Sequence, residues 1–185
     1  MKKKLIITAI AMATVLSLAL SACSKSNYEL IKTGFDGAEK AAGIEKVIEV
    51  KRGDVLLSSV EEVYETAEEG YLVTVTSKTL NQIGEGDGMY TETTEGPEST
   101  ESISLGAFPA ESELIGPQYT GEEGSLLLNA AIGSSFFGET DPIVENCAGN
   151  ITFSAELKDQ KLVSMKLEYT STNDNEVTIS FIFTY

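Results

Sequence analysis

The sequence predicts a mainly β fold of the α+β class, in which a curved antiparallel sheet ends in a three-stranded meander and is covered by one or two short helices. Three observations predict it. Residues 151–185 fall into three runs in which apolar and polar side chains alternate, and short links join these runs. Residues 28–42 combine a helix start signal with apolar residues at helical spacing. The length of the chain suits one domain with a sizeable core and is short for two.

The C-terminal alternation predicts three half-buried strands. Their apolar positions form one series per strand: Ile151, Phe153, Ala155 and Leu157; Val163, Met165, Leu167 and Tyr169; Val177, Ile179, Phe181, Phe183 and Tyr185. The links Lys158–Lys161 and Ser171–Asn175 are too short for a crossover, so we expect the strands to run antiparallel. A sheet with one apolar face must bury that face, which is why a cover is predicted.

Two segments are candidates for the cover. Residues 28–42 are predicted to form an amphipathic helix. Ser26 and Glu29 fit a capping box at its start, and Gly43 follows in the place of a C-terminal cap. Residues 125–137 are the most apolar stretch of the mature chain. Their pattern fits a buried helix or a buried strand, because periodicity does not separate the two in a short apolar run.

Between these segments the sequence indicates further strands and one long polar stretch. Residues 46–51, 71–76 and 102–108 have strand composition, whereas residues 55–66 fit a strand or a helix. Residues 83–100 are rich in Gly, Glu, Thr and Ser and contain no basic residue. Such a composition buries little apolar area, so this segment is predicted to be a mobile acidic loop or the tip of a long hairpin.

The N-terminus has the features of an export signal. The cluster Met1-Lys2-Lys3-Lys4 precedes an uncharged, largely apolar run over residues 5–20, which is too short to span a bilayer comfortably. The run ends in Leu20-Ser21-Ala22-Cys23, which resembles the lipobox of bacterial lipoproteins. The resemblance implies a diacylglyceryl group on the Cys23 thiol and cleavage just before this residue. It therefore implies a protein held by its lipid on the extracytoplasmic side of the cell membrane.

The domain organisation follows from this signal. Residues 1–22 are predicted to be the signal peptide, residues 23–27 a short polar stem, and residues 28–185 a single globular domain. An ordinary signal peptidase is the alternative, since a cut after Ser21 would place Ala19 at the −3 position that this enzyme reads. That alternative predicts a secreted protein without a lipid.

The mature chain is strongly acidic. Without Lys2, Lys3 and Lys4 it has 10 basic and 29 acidic residues, a net charge of −19, and residues 79–157 contain no basic residue. This charge disfavours nucleic acid, whose binding depends on neutralised phosphates, and it disfavours anionic headgroups. A basic protein partner or a cationic ligand is compatible with it. The charge also has a simpler role, because it keeps an exported protein in solution.

The residue types present exclude several chemistries. The chain contains no His, which removes Ser-His-Asp and Cys-His catalysis and His-based zinc sites, and it has no phosphate-binding glycine loop. We therefore expect neither an enzyme nor a bound cofactor or metal. With Cys23 lipidated, Cys147 has no disulfide partner and is predicted to be a buried thiol. The oxygen-rich segments 85–88 and 173–175 are interpreted as solvated turns, with a calcium site as the alternative.

The pattern of one-faced strands beside a helix is similar to the LolA-like architecture of lipoprotein carriers and related envelope lipoproteins. The resemblance implies a curved sheet that wraps helices and can hold an apolar ligand. The first hypothesis is therefore a non-catalytic binding module for an apolar or lipid ligand. Its candidate ligand-binding residues, for which core packing is the alternative, are Phe153, Met165, Tyr169, Phe181 and Phe183. The second hypothesis is a protein–protein interaction or inhibitory lipoprotein of the cell envelope that uses residues 79–157 on a basic partner.

Overall fold

The computed structural model describes residues 25–82, 89–101, 103, 105–134 and 147–185. The predicted signal peptide, Cys23 and residues 83–88 lie outside the described residues. Within these ranges no helix is long and apolar enough to cross a membrane. The α-helix and the strands of the described chain are α1 Asn27–Gly37, β1 Gly43–Arg52, β2 Val55–Thr66, β3 Tyr71–Gln82, β4 Met89–Thr100, β5 Leu114–Thr120, β6 Ser125–Gly133, β7 Asn150–Lys158, β8 Lys161–Thr170 and β9 Glu176–Thr184.

The strands form one antiparallel sheet in the order β4-β3-β2-β1-β9-β8-β7-β6-β5, so that β4 and β5 are its edges. This confirms the predicted mainly β fold, and the predicted C-terminal meander is formed by β7, β8 and β9. β1 pairs with β9 from Gly43↔Thr184 to Lys51↔Glu176. The first strand and the last therefore lie side by side in the middle of the sheet.

Helix α1 is amphipathic, as predicted. Ser26 is its N-cap, and the Ser26 Oγ accepts a 3.2 Å hydrogen bond from the backbone N–H of Glu29. Lys32 and Asp36 form an ion pair of 2.7 Å on the exposed face, one helical turn apart. The face that packs on the sheet consists of Tyr28, Ile31, Gly34 and Phe35.

The predicted helix over residues 28–42 is too long at its C-terminal end. The α-helix ends at Gly37, and residues 38–40 form a single 3-10 turn. The chain leaves the helical path because it joins the sheet, where the Ala42 N–H donates to the Thr184 carbonyl over 2.7 Å. Gly43 consequently starts β1 and does not cap the helix.

The apolar segment 125–137 is part of the sheet and does not cover it. β6 pairs with β7 along its whole length, and its buried side chains alternate as Leu128, Ala130 and Ile132. The interpretation of this segment as a cover is therefore wrong for residues 125–134, and residues 135–137 lie outside the described residues. The main contacts of α1 are with β6, β7 and β8, so the helix is the element that covers this part of the sheet.

Residues 83–100 were predicted to be a mobile acidic loop or the tip of a long hairpin, and most of this segment is an edge strand of the β3–β4 hairpin. Residues 89–100 form β4, which pairs with β3 and exposes nearly all its side chains. The prediction assumed that ordered structure requires buried apolar area, whereas a hairpin edge is held by its backbone ladder. Hydroxyl pairs such as Thr76 and Thr94, whose Oγ1 atoms lie 3.3 Å apart, support that ladder.

The structure decides one ambiguous sequence prediction and corrects two others. The ambiguous segment 55–66 is a strand, β2. The strand predicted over residues 102–108 is absent from the described positions 103 and 105–108. The alternation predicted for β8 is shifted at its start, because a bulge opposite Glu156 and Leu157 buries Leu162 completely and leaves Val163 half-buried.

Gly34 sets the distance between α1 and the sheet. A Cβ atom at this position would overlap the Leu157 Cδ1 atom and lie 3.3 Å from the Leu162 backbone nitrogen. We expect Gly34→Val to lower the free energy of unfolding by about 1–3 kcal/mol, the range for overpacked cores. Urea denaturation measures this change. Gly37→Val is the matched control, since a Cβ there meets nothing within 4 Å, and an equal loss in both variants would contradict the packing role of Gly34.

Candidate functional site

The register sorts the side chains of the sheet onto two sides, because cross-strand partners point the same way. We call the side on which α1 packs the helix side and the opposite side the polar side. The polar side carries residues such as Ser154, Lys166 and Glu168. The helix side continues from the C-terminal meander onto the N-terminal strands through the pairs Ile44↔Phe183, Lys46↔Phe181, Ile48↔Ile179 and Val50↔Val177.

The five predicted ligand-binding residues all lie on the helix side and are brought together in the core. Their exposed fractions are 1% for Phe153, 5% for Met165, 6% for Tyr169, 5% for Phe181 and 4% for Phe183. The rings of Phe181 and Phe183 are stacked, with centroids 6.4 Å apart. These side chains are thus buried by the protein itself, which is the core-packing alternative for the same residues.

Phe108 fills the space above the meander. Its ring centroid lies 5.1 Å from that of Phe35 on α1 and 5.6 Å from that of Phe153 on β7. The neighbouring segment is fastened to the helix by the Tyr28 hydroxyl, which donates to the Pro109 carbonyl over 2.8 Å. A ligand on Phe153 would have to displace this aromatic contact. The ligand-binding role of the five residues stays a prediction.

A second part of the helix side is only half-buried. It lies on β1, β2 and β3 and consists of Lys46, Val50, Val60, Glu62, Tyr64, Val73 and Val75. We call it the β1–β3 surface. The main contacts of α1 are with strands on the other side of β9, which leaves this apolar surface partly accessible. It adjoins the core directly, because Ile44 and Ile48 on β1 are 2% and 7% exposed.

Polar groups interrupt the β1–β3 surface at one place. Lys46 and Glu62 face each other across β1 and β2, and the Lys46 Nζ atom lies 3.2 Å from Glu62 Oε1 and 3.4 Å from Glu62 Oε2. Only 22% and 19% of the two side chains are exposed. The Tyr64 hydroxyl donates to Glu62 Oε2. We call these three residues the Lys46–Glu62–Tyr64 cluster.

The Tyr64 hydroxyl keeps its proton over the physiological pH range. Burial raises the pKa of Tyr64 well above its usual value, and the hydrogen bond to the Glu62 carboxylate raises it further. Tyr64 is therefore a permanent donor to Glu62. The cluster combines one positive charge, one negative charge and one neutral hydroxyl, and has no net charge.

The sequence contains a pattern that indicates this cluster, although the alternation of apolar and polar residues within one strand does not identify it. In Ile44-x-Lys46-x-Ile48 a basic residue interrupts an apolar series, and in Val60-x-Glu62-x-Tyr64 an acidic residue does the same. Two interruptions of opposite sign in neighbouring strands indicate a cross-strand ion pair, provided that the register is known. The register came only with the structure.

Cys147 is half-buried, and among the described residues it forms no disulfide. Burial raises the pKa of its thiol, and the thiol donates to the Gly149 carbonyl over 3.5 Å. The segment 173–175 belongs to the turn between β8 and β9, where the Asn175 side-chain oxygen accepts a 3.0 Å hydrogen bond from Arg52 Nε. Residues 85–88 lie outside the described residues.

No family model matches the sequence, and no curated protein matches it. Among solved structures, LprF from Mycobacterium bovis is similar at 12% sequence identity and a TM-score of 0.45, over 84% of this chain and 90% of that one. At this TM-score the likeness does not establish a common fold.

The role of Phe108 can be tested by truncation. We expect Phe108→Ala to lower the free energy of unfolding, by somewhat less than the about 3–5 kcal/mol of a fully buried Phe because this ring is partly exposed. Thermal or urea unfolding measures the loss. The control is Ile182→Ala on the polar side, which is 51% exposed and should cost little. A Phe108→Ala protein as stable as the Ile182→Ala protein would contradict the packing described above.

Proposed function

We propose that the chain is a bacterial lipoprotein, lipidated on Cys23 and held on the extracytoplasmic side of the cell membrane, that acts as a non-catalytic binding module for an apolar ligand. The observation that carries the binding role is the β1–β3 surface. It continues the apolar side of the core onto β1, β2 and β3, whereas the main contacts of α1 are with β6, β7 and β8. The valine side chains of this surface are half-buried. The sequence Leu20-Ser21-Ala22-Cys23 supports the anchor.

The difference in burial supports the β1–β3 surface, and not the meander, as the proposed binding site. The meander residues Phe153 and Phe181 are already covered, so a ligand there would replace existing contacts at no net gain of buried area. On the β1–β3 surface a ligand would remove additional apolar area from water, which contributes about 25 cal/mol per Å². Val60, Val73 and Val75 lie on adjacent strands and offer such area.

The position of the domain relative to the membrane follows from the stem. α1 begins at Asn27, four residues after Cys23. An extended chain covers at most about 3.5 Å per residue, which places the helix start within roughly 14 Å of the lipidated residue. The domain therefore lies close to the bilayer, where apolar ligands are concentrated.

The anchor is tested by Cys23→Ser. We expect this variant to lose incorporation of radiolabelled palmitate and to be recovered as uncut precursor or as released protein, because the thiol is the site of lipid attachment. Cys147→Ser is the control and should be labelled and membrane-bound like the unchanged protein. Processed Cys23→Ser protein that still fractionates with membranes would contradict the proposed anchor.

The binding role is tested by a matched pair of valine substitutions. Val75 lies on the β1–β3 surface, and Val63 is a half-buried valine on the polar side. We expect Val75→Asn to lower the retention of apolar molecules several-fold and Val63→Asn to leave it unchanged. Native mass spectrometry of protein extracted from membranes, with solvent extraction of bound molecules, measures retention. If the unchanged protein retains no apolar molecule above the level of Val75→Asn, the proposal fails.

A second candidate function is an interaction lipoprotein with a basic protein partner. The observation that favours it is β4, an exposed edge strand that carries Glu92, Glu95 and Glu98 and no basic residue. Edge strands present backbone groups that a partner strand can pair with. We expect recovery of such a partner in a pull-down to fall steeply between 50 and 500 mM salt, and to fall in a variant with all three Glu replaced by Gln. Recovery that is indifferent to both changes would exclude this function.

A further inference from the structure

The Lys46–Glu62–Tyr64 cluster lies on the helix side of the sheet, among apolar side chains of β1, β2 and β3. On one cross-strand line lie Phe181 on β9, Lys46 on β1, Glu62 on β2, Val75 on β3 and Glu95 on β4. The lines on either side contain Ile44, Tyr64 and Val73, and Ile48, Val60 and Ser77. The cluster is therefore the charged part of the β1–β3 surface, and Glu95 and Glu98 on β4 border this surface at its outer edge.

Stability does not explain the cluster. Removing two charges from water is costly, and replacing a buried ion pair by apolar residues of similar volume is often neutral or stabilising. Valine or isoleucine at positions 46 and 62 would continue the series that Ile44, Ile48 and Val60 begin. Positions at which a sequence departs from its own local pattern without a gain in stability are candidates for binding.

The hydrogen-bonding capacity of the cluster specifies the kind of group that fits. An ammonium has three donors, and both described contacts of Lys46 Nζ are with Glu62. A carboxylate has about four acceptor sites, and Glu62 accepts from Lys46 and Tyr64. The cluster thus offers donor and acceptor capacity side by side. A hydroxyl group, which donates and accepts, satisfies both, and neighbouring hydroxyls do so best.

Charge argues against the other classes of polar group. An anionic group would be attracted by Lys46 but repelled by Glu62 and by a mature chain with a net charge of −19, that is, 10 basic against 29 acidic residues. At the cluster itself a cationic group would have to compete with Lys46, which already neutralises Glu62 at 3.2 Å; the other carboxylates on this side, Glu95 and Glu98, stand further out on β4. An uncharged hydroxyl-bearing group meets neither penalty.

We infer that the Lys46–Glu62–Tyr64 cluster binds the uncharged, hydroxyl-bearing end of an amphipathic ligand whose apolar part lies on Val60, Val73 and Val75. This inference rests on the proposed binding function and narrows its ligand class. From Lys46 on β1 to Val75 on β3 the surface spans two inter-strand spacings, about 10 Å. The polar end and the first part of an apolar chain are accommodated over that width.

Three probes with the same eighteen-carbon chain separate the headgroup classes: monoolein with two hydroxyls, oleate with a negative charge and oleylamine with a positive charge. Each is titrated into protein extracted from membranes in an amine-oxide detergent, since alkyl glycoside detergents carry hydroxyls and would compete. Native mass spectrometry at neutral pH measures the dissociation constants. We expect monoolein to bind at least about tenfold more tightly than either charged probe, corresponding to about 1.4 kcal/mol.

Substitutions in the cluster test its role. Glu62→Gln and Lys46→Met should reduce the preference for monoolein to less than about threefold, while Glu61→Gln on the polar side should keep it. Tyr64→Phe removes one hydroxyl and retains the ring, so this variant tests the cluster if Glu62→Gln and Lys46→Met unfold the protein. It should weaken monoolein binding more than binding of the charged probes.

The outcomes distinguish the two proposals. If none of the three probes binds, the proposed binding function fails. If the probes bind but oleate or oleylamine equals monoolein, or if the preference survives in Glu62→Gln and in Tyr64→Phe, the function stands and the headgroup inference is overturned.

Discussion

The ladder between β1 and β9 joins two series of strands that share no other pairing within the described residues. β1 to β4 form one antiparallel series, and β5 to β9 form another. The nine partner pairs from Gly43↔Thr184 to Lys51↔Glu176 connect them. This ladder also brings Ile44 and Ile48 next to Phe183 and Ile179, so that the apolar side continues from the meander onto β1, β2 and β3. Both the closed core and the β1–β3 surface depend on it.

The two parts of the helix side differ in how they are covered. Over β6, β7 and β8 the sheet is covered by α1, and Phe108 packs between α1 and β7. Gly34 permits the close approach of α1 to the sheet. Over β1 to β3 the side chains stay half-buried, and a neutralised ion pair with a permanent hydroxyl donor replaces part of the apolar series. The first part has the character of a core. The second has the mixture of apolar area and few polar groups that is typical of ligand sites.

Strands in which apolar and polar residues alternate could be predicted from the sequence, whereas β4 and the segment 125–137 lack this alternation. β7, β8 and β9 were predictable because one side of each is buried, which imposes alternation on residues such as Ile151 and Phe153. β4 was not predictable, because backbone pairing with β3 orders it and such pairing does not require a particular amino-acid composition. The segment 125–137 was ambiguous because Leu126, Leu127 and Leu128 are consecutive and carry no period.

The candidate site was predictable only in part, for a related reason. Sequence alternation correctly grouped Phe153, Met165, Tyr169, Phe181 and Phe183 on one side of the sheet. The cover over Phe153 includes Phe108, which is distant in sequence and belongs to a segment without regular structure. The proximity of Lys46 to Glu62 depends on register, which a bulge or a change of turn length can shift by one residue. Neither relation can be obtained from one strand considered alone.

The pairing of the first strand with the last also constrains when the protein can fold. Gly43 finds its partner only when Thr184 has been synthesised, and α1 packs on strands that all follow it by more than 80 residues. An emerging chain therefore lacks the long-range contacts that would compensate the entropy of closing such loops. The hairpins of β1 to β4 pair neighbours in sequence and need no later strand. The helix side is completed only when β9 pairs with β1 and α1 packs on β6, β7 and β8.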